Sequence, residues 1–294
     1  MKIAFLTAGC MLKGHPNLRK DHWEHDYEFA PLHAACAHRG IELHAVVWDD
    51  PDFVIEEFDA CVIGTTWDYT DKAEAFLAAL ERFASRRPLF NSLSIVRWNL
   101  NKTYLRELAD TGVPTVPTLW RERADSETIE RAFDELGVDE IVVKPVVGAS
   151  AWRQVRHKRG QMLPPSEELP PAATMIQPFL NTVTTEGEYS FLFFDRSFSH
   201  CARKMPLAGD YRVQTMFGGH EVVYLPNPSE LAVAERVLNA VDSPLLYARV
   251  DMLRQASGEL ALMELELVEP YLYPEQGPNV GESFAVALER MLKH

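Results

Sequence analysis

The sequence predicts an α/β protein assembled from α+β lobes, on three observations. Residues 2–100 alternate strand-like and helix-like segments, the βαβ pattern of a small parallel sheet with flanking helices. The same strand, helix, strand rhythm returns between Val113 and Pro145. Beyond Gly187, two pairs of apolar runs enclose short turns, as antiparallel hairpins do. At 294 residues the chain is long enough for two or three lobes. The expected division is 1–98, 99–180 and 181–294.

In the first lobe, KIAFLTA, LHAVVW and DACVIGTT read as strands, with helices near Phe29 to His38 and through AEAFLAALERF. Trp67-Asp68-Tyr69 follows the third strand at its carboxyl end, where open α/β sheets place ligands. The second lobe opens at Asn99-Leu100-Asn101-Lys102, with a helix to Asp110 that Gly112 and Pro114 stop. VPTLW, a helix from Ser126 to Leu136, EIVVKP and the strand Met175 to Leu180 follow. In the third lobe, Glu188–Phe194 and Phe198–Met205 flank the turn Asp195-Arg196-Ser197. A helix from Glu230 to Ala240, a second hairpin and a helix from Asn279 to Leu292 complete it.

A formal net charge of −14 argues against a nucleic-acid partner, because phosphate backbones are gripped by surplus Lys and Arg. An anionic substrate must therefore be met locally. No apolar run reaches the ~20 residues of a membrane span, and the apolar N-terminus lacks a signal-peptide cleavage pattern. Cys10, Cys36, Cys61 and Cys201 form no C-x-x-C pair, which fits reduced thiols in a cytoplasmic protein. Gly9 and Gly14 have Walker A spacing, but His15-Pro16 stand where Lys and Ser or Thr belong. Six of the ten histidines lie between His15 and His44, yet Cys10 is the lone nearby thiol, so a zinc site ranks behind a polar loop. That loop, Gly14 to Asp26, either covers a substrate pocket or faces water.

The second hairpin carries the strongest chemical signal. Mirrored about Ser257-Gly258, it sets Asp251 opposite Glu264; alternation puts Arg249 on the face of Asp251 and Glu266 on that of Glu264. Opposed like charges about 5 Å apart repel unless something lies between them. Three carboxylates on one face suit Mg2+ or Mn2+, hard ions that take oxygen ligands. Lys144 ends an apolar strand before the small-residue loop Val147–Ala151, a natural grip for phosphate.

The order of these features resembles the ATP-grasp ligases, here with a pre-ATP-grasp parallel-sheet lobe. The resemblance rests on Arg249-x-Asp251, Glu264-x-Glu266, Lys102, Lys144 and the loop 148–151. It implies ATP with Mg2+ or Mn2+ as cofactors, and Asp251, Glu264 and Glu266 as metal ligands, with Glu266 or Glu269 completing the second metal position. Lys102, Lys144, Gly148, Ser150, Gln177, Phe179, Leu180 and Glu188 would bind the nucleotide, Glu188 reaching toward the ribose. Arg212, in the segment Asp210–Gln214, would contact the transferred phosphate, with Arg249 beside it as a second catalytic residue. WDY, WN-x-x-K-x-YL, QPFL, GE-x-S, FSH and ELEL-x-EP are most similar to the glutathione-synthetase-like subgroup that includes the cycloserine-forming ligase. That subgroup often has an arginine where this sequence has Gly64, which implies a different substrate anion or another way of holding it.

The resemblance implies a carboxylate-amine ligase that makes an acyl phosphate from a small amino-acid-like substrate, joining two molecules or closing one into a ring. Trp67, Asp68 and Tyr69 are its candidate substrate contacts, and a homo-oligomer is admitted. The alternatives are an inactive nucleotide-sensing member, an ATP-grasp phosphotransferase, and a zinc module built on the N-terminal histidines. Intact Asp251 and Glu264 count against the first, and the chain offers no room for the phosphocarrier histidine domain the second would need.

Overall fold

The computed structural model describes residues 1–148 and 151–293. Four strands, β1 (Lys2–Thr7), β2 (Glu42–Val47), β3 (Ala60–Ile63) and β4 (Leu89–Phe90), form a parallel sheet in the order β2-β1-β3-β4. Helix α1 (Trp23–His38) crosses from β1 to β2 and α2 (Ala73–Ala84) from β3 to β4. The first helix starts six residues before the expected Phe29. The polar loop is correspondingly shorter than Gly14 to Asp26, and Glu24, His25 and Glu28 become inward-facing helical residues.

Helices α3 (Leu93–Asn99) and α4 (Tyr104–Asp110) lead to a second sheet made of β5 (Leu119–Arg121), β6 (Glu140–Pro145), β7 (Val155–Lys158) and β8 (Thr174–Pro178). Its order is β5-β8-β6-β7, all antiparallel, with α5 (Ser126–Leu136) packed on one face. α5 starts where expected because Asp125 accepts the N–H of Thr128 at 2.9 Å, an N-cap.

The third sheet has five antiparallel strands in the order β11-β10-β9-β12-β13: β9 (Glu188–Phe194), β10 (Ser197–Met205), β11 (His220–Tyr224), β12 (Tyr247–Arg254) and β13 (Leu260–Glu266). The one-turn helix α6 (Thr182–Thr185) leads into it, and α7 (Pro228–Asn239) and α8 (Val280–Met291) cover its two faces. The run EYSFLFF of β9 is apolar almost throughout because both faces are covered. Phe191 and Phe193 join the α7 core, whereas Leu192 and Phe194 join α1 and α8. α7 begins two residues before the expected Glu230, through a capping box: Asn227 accepts the Glu230 N–H, and Glu230 accepts the Asn227 N–H. No helix among the described residues is long and apolar enough to cross a membrane.

Candidate active site

β12 lies between β9 and β13, so Asp251 sits inside the sheet, paired with Ser190 on one side and Glu264 on the other. Arg249 pairs with Glu266. The mirror expectation is right at these positions, but the turn itself differs. From Arg254↔Leu260 to Met252↔Leu262 the pairing is centred on Ser257, with Gly258 at φ +89° in the left-handed conformation that a three-residue loop needs. A bulge at Met263 then moves the register by one. Its effect is to point both Met263 and Glu264 at the second sheet, where Lys144 Nζ lies 3.5 Å from Met263 Sδ and Lys102 Nζ lies 3.1 Å from Glu264.

Charges alternate along the floor of this cleft. Lys204 pairs with Glu188 and, at 3.1 Å, with Asp251; Arg249 pairs with Asp251 and with Glu266. Ser190 donates to Asp251 at 2.5 Å. Burial alone would raise the Asp251 pKa, but Arg249 and Lys204 outweigh it and hold the carboxyl down at about 2. Burial, reinforced by Asp251, Glu264 and Glu269, pushes Glu266 up to about 8 against the pull of Arg249. Burial likewise lifts Glu269 to about 7. For Glu264, attraction to Lys102 overcomes burial and lowers the pKa. Burial lowers that of Lys144, despite Glu264 and Glu188. A half-buried ammonium that makes no salt bridge among the described residues is poised for an incoming anion.

β13 is the outermost strand of its sheet, and a free edge exposes unpaired N–H and C=O groups. The backbone of Pro114 and Val116 pairs with it at Leu262, and beyond that point side chains take the place of a neighbouring strand. Tyr104 and Asn99 hold Leu265, Asn99 and Asn91 hold Leu267, and Tyr247 donates to Val268 O. Trp67 donates to Glu269 O, Arg249 to Tyr271 O, Leu272 N–H donates to Glu28, and the Leu272 carbonyl meets His200 Nε2. Elements from all along the chain thus fix the backbone that carries Glu264, Glu266 and Glu269.

The remaining sequence candidates fall in several places. Trp67 packs edge-on to Tyr271 and Tyr69 is buried against Phe76, both beside the acid strand. Asp68 turns away from the cleft, accepting from Trp48 Nε1 at 2.8 Å and pairing with Lys72, because those two donors lie behind it. Gln177 donates to Thr118 within the second sheet. Phe179 lies under the Arg156 guanidinium at 3.7 Å and meets Tyr211 edge-on, and Leu180 is half-buried after it. Glu188 is engaged by Lys204, and Arg212 by Asp210 at 2.7 Å on an exposed loop. Among the described residues Arg212 makes no ion pair with the cleft carboxylates. The Gly148 carbonyl accepts from Lys102 at 2.5 Å; Ser150 lies outside the described residues.

His25 is buried and bonded to Thr65 at 2.6 Å and His22 to the Arg19 carbonyl, whereas His33, His38 and His44 are exposed. At Gly64, a Cβ would sit 2.0 Å from Phe5 Cε1: the ring occupies the room a side chain would need. Sequence reasoning missed Lys204, Glu24 and Glu28. Lys204 had a signal, since mirroring the first hairpin about Arg196 places it opposite Glu188, as observed. The two glutamates had none, because a helix start six residues too late hid them.

A family model described as the N-terminal domain of the D-cycloserine synthetase DcsG matches residues 3–91. The cycloserine biosynthesis protein DcsG of Streptomyces lavendulae is 30% identical over 285 residues, 91% of this chain and 95% of that protein. The chain belongs to the ATP-grasp ligase family that includes DcsG. A crystal structure of D-cycloserine synthetase DcsG aligns with a TM-score of 0.85 at 28% identity, covering 99% of this chain and 100% of the other. Two further ATP-grasp structures share the fold. The ligase PsnB, complexed with minimal precursor, Mg and ADP, gives a TM-score of 0.66 at 17% identity over 99% of this chain and 98% of its own. D-alanine–D-alanine ligase from Bacillus anthracis, complexed with ATP, gives 0.66 at 16% over 100% and 99%.

ATP-grasp membership implies a divalent metal, and the donor chemistry fits one. Glu264 and Glu266 project from one face, each about a quarter exposed, and offer only oxygen. Among the described residues, however, no three His, Cys, Asp or Glu side chains converge on one point. Lys102 and Arg249 supply the positive charge there, and both oxygens of Asp251 are taken.

Proposed function

We propose that the protein is an ATP- and Mg2+- or Mn2+-dependent carboxylate-amine ligase that forms an acyl phosphate on a small amino-acid-like substrate, either between two molecules or within one. The supporting observation is the cleft where Lys102 and Lys144 face Glu264, with the alternating chain Glu188, Lys204, Asp251, Arg249 and Glu266 as its floor. A carboxylate does not react with an amine at neutral pH because oxide is too poor a leaving group. Phosphorylation turns that oxygen into phosphate. Phosphoryl transfer asks the protein mainly for position and charge neutralisation.

In this reading Lys102 and Lys144 hold phosphate oxygens, and the backbone of Gln177 to Leu180 meets the base, with Phe179 as one wall. Gly148 and Ser150 belong to the loop over the phosphates, and Glu188 lies toward the ribose. Glu264 and Glu266, with Asp251 once it releases a cation, would hold the divalent ion, which when bound neutralises phosphate charge. Arg249 and Lys204 stabilise charge developing on the transferred group, and Arg212 reaches it by leaving Asp210. Trp67 and Tyr69 border the substrate. The name of the DcsG relative supports an amino-acid-like acid, and Phe5 against Gly64 shapes that pocket differently from one with a side chain there. Four free cysteines fit a cytoplasmic setting.

The test is a screen of amino acids and amine acceptors with ATP and Mg2+, read by phosphate release and product mass. Hydroxylamine should intercept the acyl phosphate as a hydroxamate whenever the right acid is present. An acid that drives ADP and phosphate release yet never yields an amide or a hydroxamate would replace this reading with a phosphotransferase.

A further inference from the structure

We propose that Asn99 is a positioning residue that sets Glu264 and Glu266 relative to Lys102. This rests on the ligase reading above. The Asn99 amide imitates one peptide of an absent strand: Nδ2 donates to Leu265 O at 2.8 Å and Oδ1 accepts from Leu267 N at 2.8 Å. These two groups flank Glu266 on the outer side of β13, where among the described residues the backbone pairing is confined to Leu262 with Pro114 and Val116. Tyr104 also bonds both polar groups of Leu265, but Asn99 alone among the described residues spans the peptides on either side of Glu266. Its side chain is buried, so both bonds are shielded from water.

Position along the chain adds the second half of the argument. Asn99 ends α3, and Lys102 follows three residues later with its own N–H bonded to Val146 O at 3.0 Å and its ammonium on Gly148 O and Glu264. The segment 99–102 therefore ties the acid strand at one end and the loop after β6 at the other. The outer edge is pinned at Leu262 by the backbone of Pro114 and Val116 and at Leu265 by Tyr104, and Asn99 carries that restraint across Glu266 to Leu267, where the ladder to β12 on the opposite side still allows the edge to twist.

The variants are Asn99→Leu, similar in volume without polar ends, and Asn99→Asp, which keeps the acceptor for Leu267 N but turns an oxygen toward Leu265 O. Leu108→Ala, on the buried face of α4, serves as a destabilised control outside the cleft. Binding of Mn2+ is titrated by electron paramagnetic resonance with a nonhydrolysable ATP analogue present, alongside analogue affinity without metal and melting temperature. Supporting residues around a metal typically matter about tenfold or more in metal affinity. Both Asn99 variants should lose that much Mn2+ affinity, with metal-free analogue binding at the wild-type value and Leu108→Ala keeping wild-type Mn2+ affinity at a comparably lowered melting temperature. Wild-type Mn2+ affinity in the Asn99 variants would overturn the inference, and so would an equal loss in Leu108→Ala. Should Asn99→Leu fail to fold, Asn99→Asp decides. If the wild-type protein itself takes up no Mn2+ with the analogue, the ligase reading fails first and the inference falls with it.

Discussion

Glu28 offers a quantitative check on how the first lobe grips the acid strand. It is 2% exposed, accepts the Leu272 N–H at 2.9 Å, and lines a cavity of about 10 Å³ with Phe5, Tyr247 and Leu272. Burial pushes its pKa from 4.5 up to about 8; the Leu272 N–H and Arg249 pull the other way, and Glu24 adds to the rise. A carboxyl whose folded pKa is raised binds its proton more tightly in the folded state. Its contribution is fully present below the unfolded pKa and is lost as pH climbs through the folded one. Each pH unit between the two values costs about 1.4 kcal/mol, so the penalty grows from under about 1 kcal/mol at pH 5 to roughly 4 kcal/mol at pH 8. Glu28→Gln keeps an acceptor for Leu272 N and cannot ionise. Relative to wild type it should therefore gain about 3 kcal/mol between pH 5 and pH 8 in urea denaturation followed by tryptophan fluorescence. An offset between the two proteins that is the same at both pH values would refute the reasoning, because it would mean Glu28 titrates as it does in the unfolded chain.

Three further outcomes are expected. Lys144→Met should weaken a nonhydrolysable ATP analogue by about ten- to a hundredfold, the worth of roughly 1.5 to 3 kcal/mol for a charge-assisted contact, read by calorimetry; unchanged affinity would remove Lys144 from the phosphates. Glu264→Gln should abolish most Mg2+-dependent turnover with the acid found in the substrate screen while its circular dichroism spectrum stays that of the wild type, and retained turnover would rule out the metal role. Gly64→Ala should destabilise the fold by about 1 to 3 kcal/mol through overpacking, because its Cβ would lie 2.0 Å from Phe5 Cε1. Phe5→Leu in the same chain should recover part of that loss in thermal melts, and no recovery would place the strain elsewhere.

What was legible in the sequence was the part written in local periodicity. Strand alternation and turn residues located β9, β10 and β13 to within a residue or so, found β12 three residues short at its start, and mirror symmetry about the second turn found Asp251↔Glu264; the same operation about Arg196, which sequence reasoning missed, gives Glu188↔Lys204. Yet each mirror was off by one at the turn itself. The first hairpin closes through Asp195-Arg196 and shifts register between Phe198 and His200, whereas the second closes around Ser257 and shifts at Met263. An extra residue on one strand is invisible to a period-two pattern when its neighbours are apolar on both faces, as Phe-rich β9 and Leu-rich β13 make them. The start of α1 was misplaced for a related reason. Its first turn carries Glu24, His25 and Asp26, polar residues that read as loop until the tertiary fold buries two of them.

The unread remainder is long-range. Asn91, Asn99, Trp67, Glu28 and His200 are scattered over more than a hundred residues, and nothing local marks them as partners of one edge strand. Their convergence has a physical reason. A carboxylate-bearing strand placed at a sheet edge gains access to the cleft that an interior strand lacks, but forfeits most of the ladder on one side that would hold its carboxylates in register. Closing that edge with another strand would cover the cleft. Beyond the short backbone pairing at Leu262, single side chains restore the missing hydrogen bonds one peptide at a time, leaving Glu264 and Glu266 open on the other face. On this argument the resemblance carried by charged residues proposes which groups do the chemistry, whereas neutral amides and a tryptophan bond the backbone on which those groups stand.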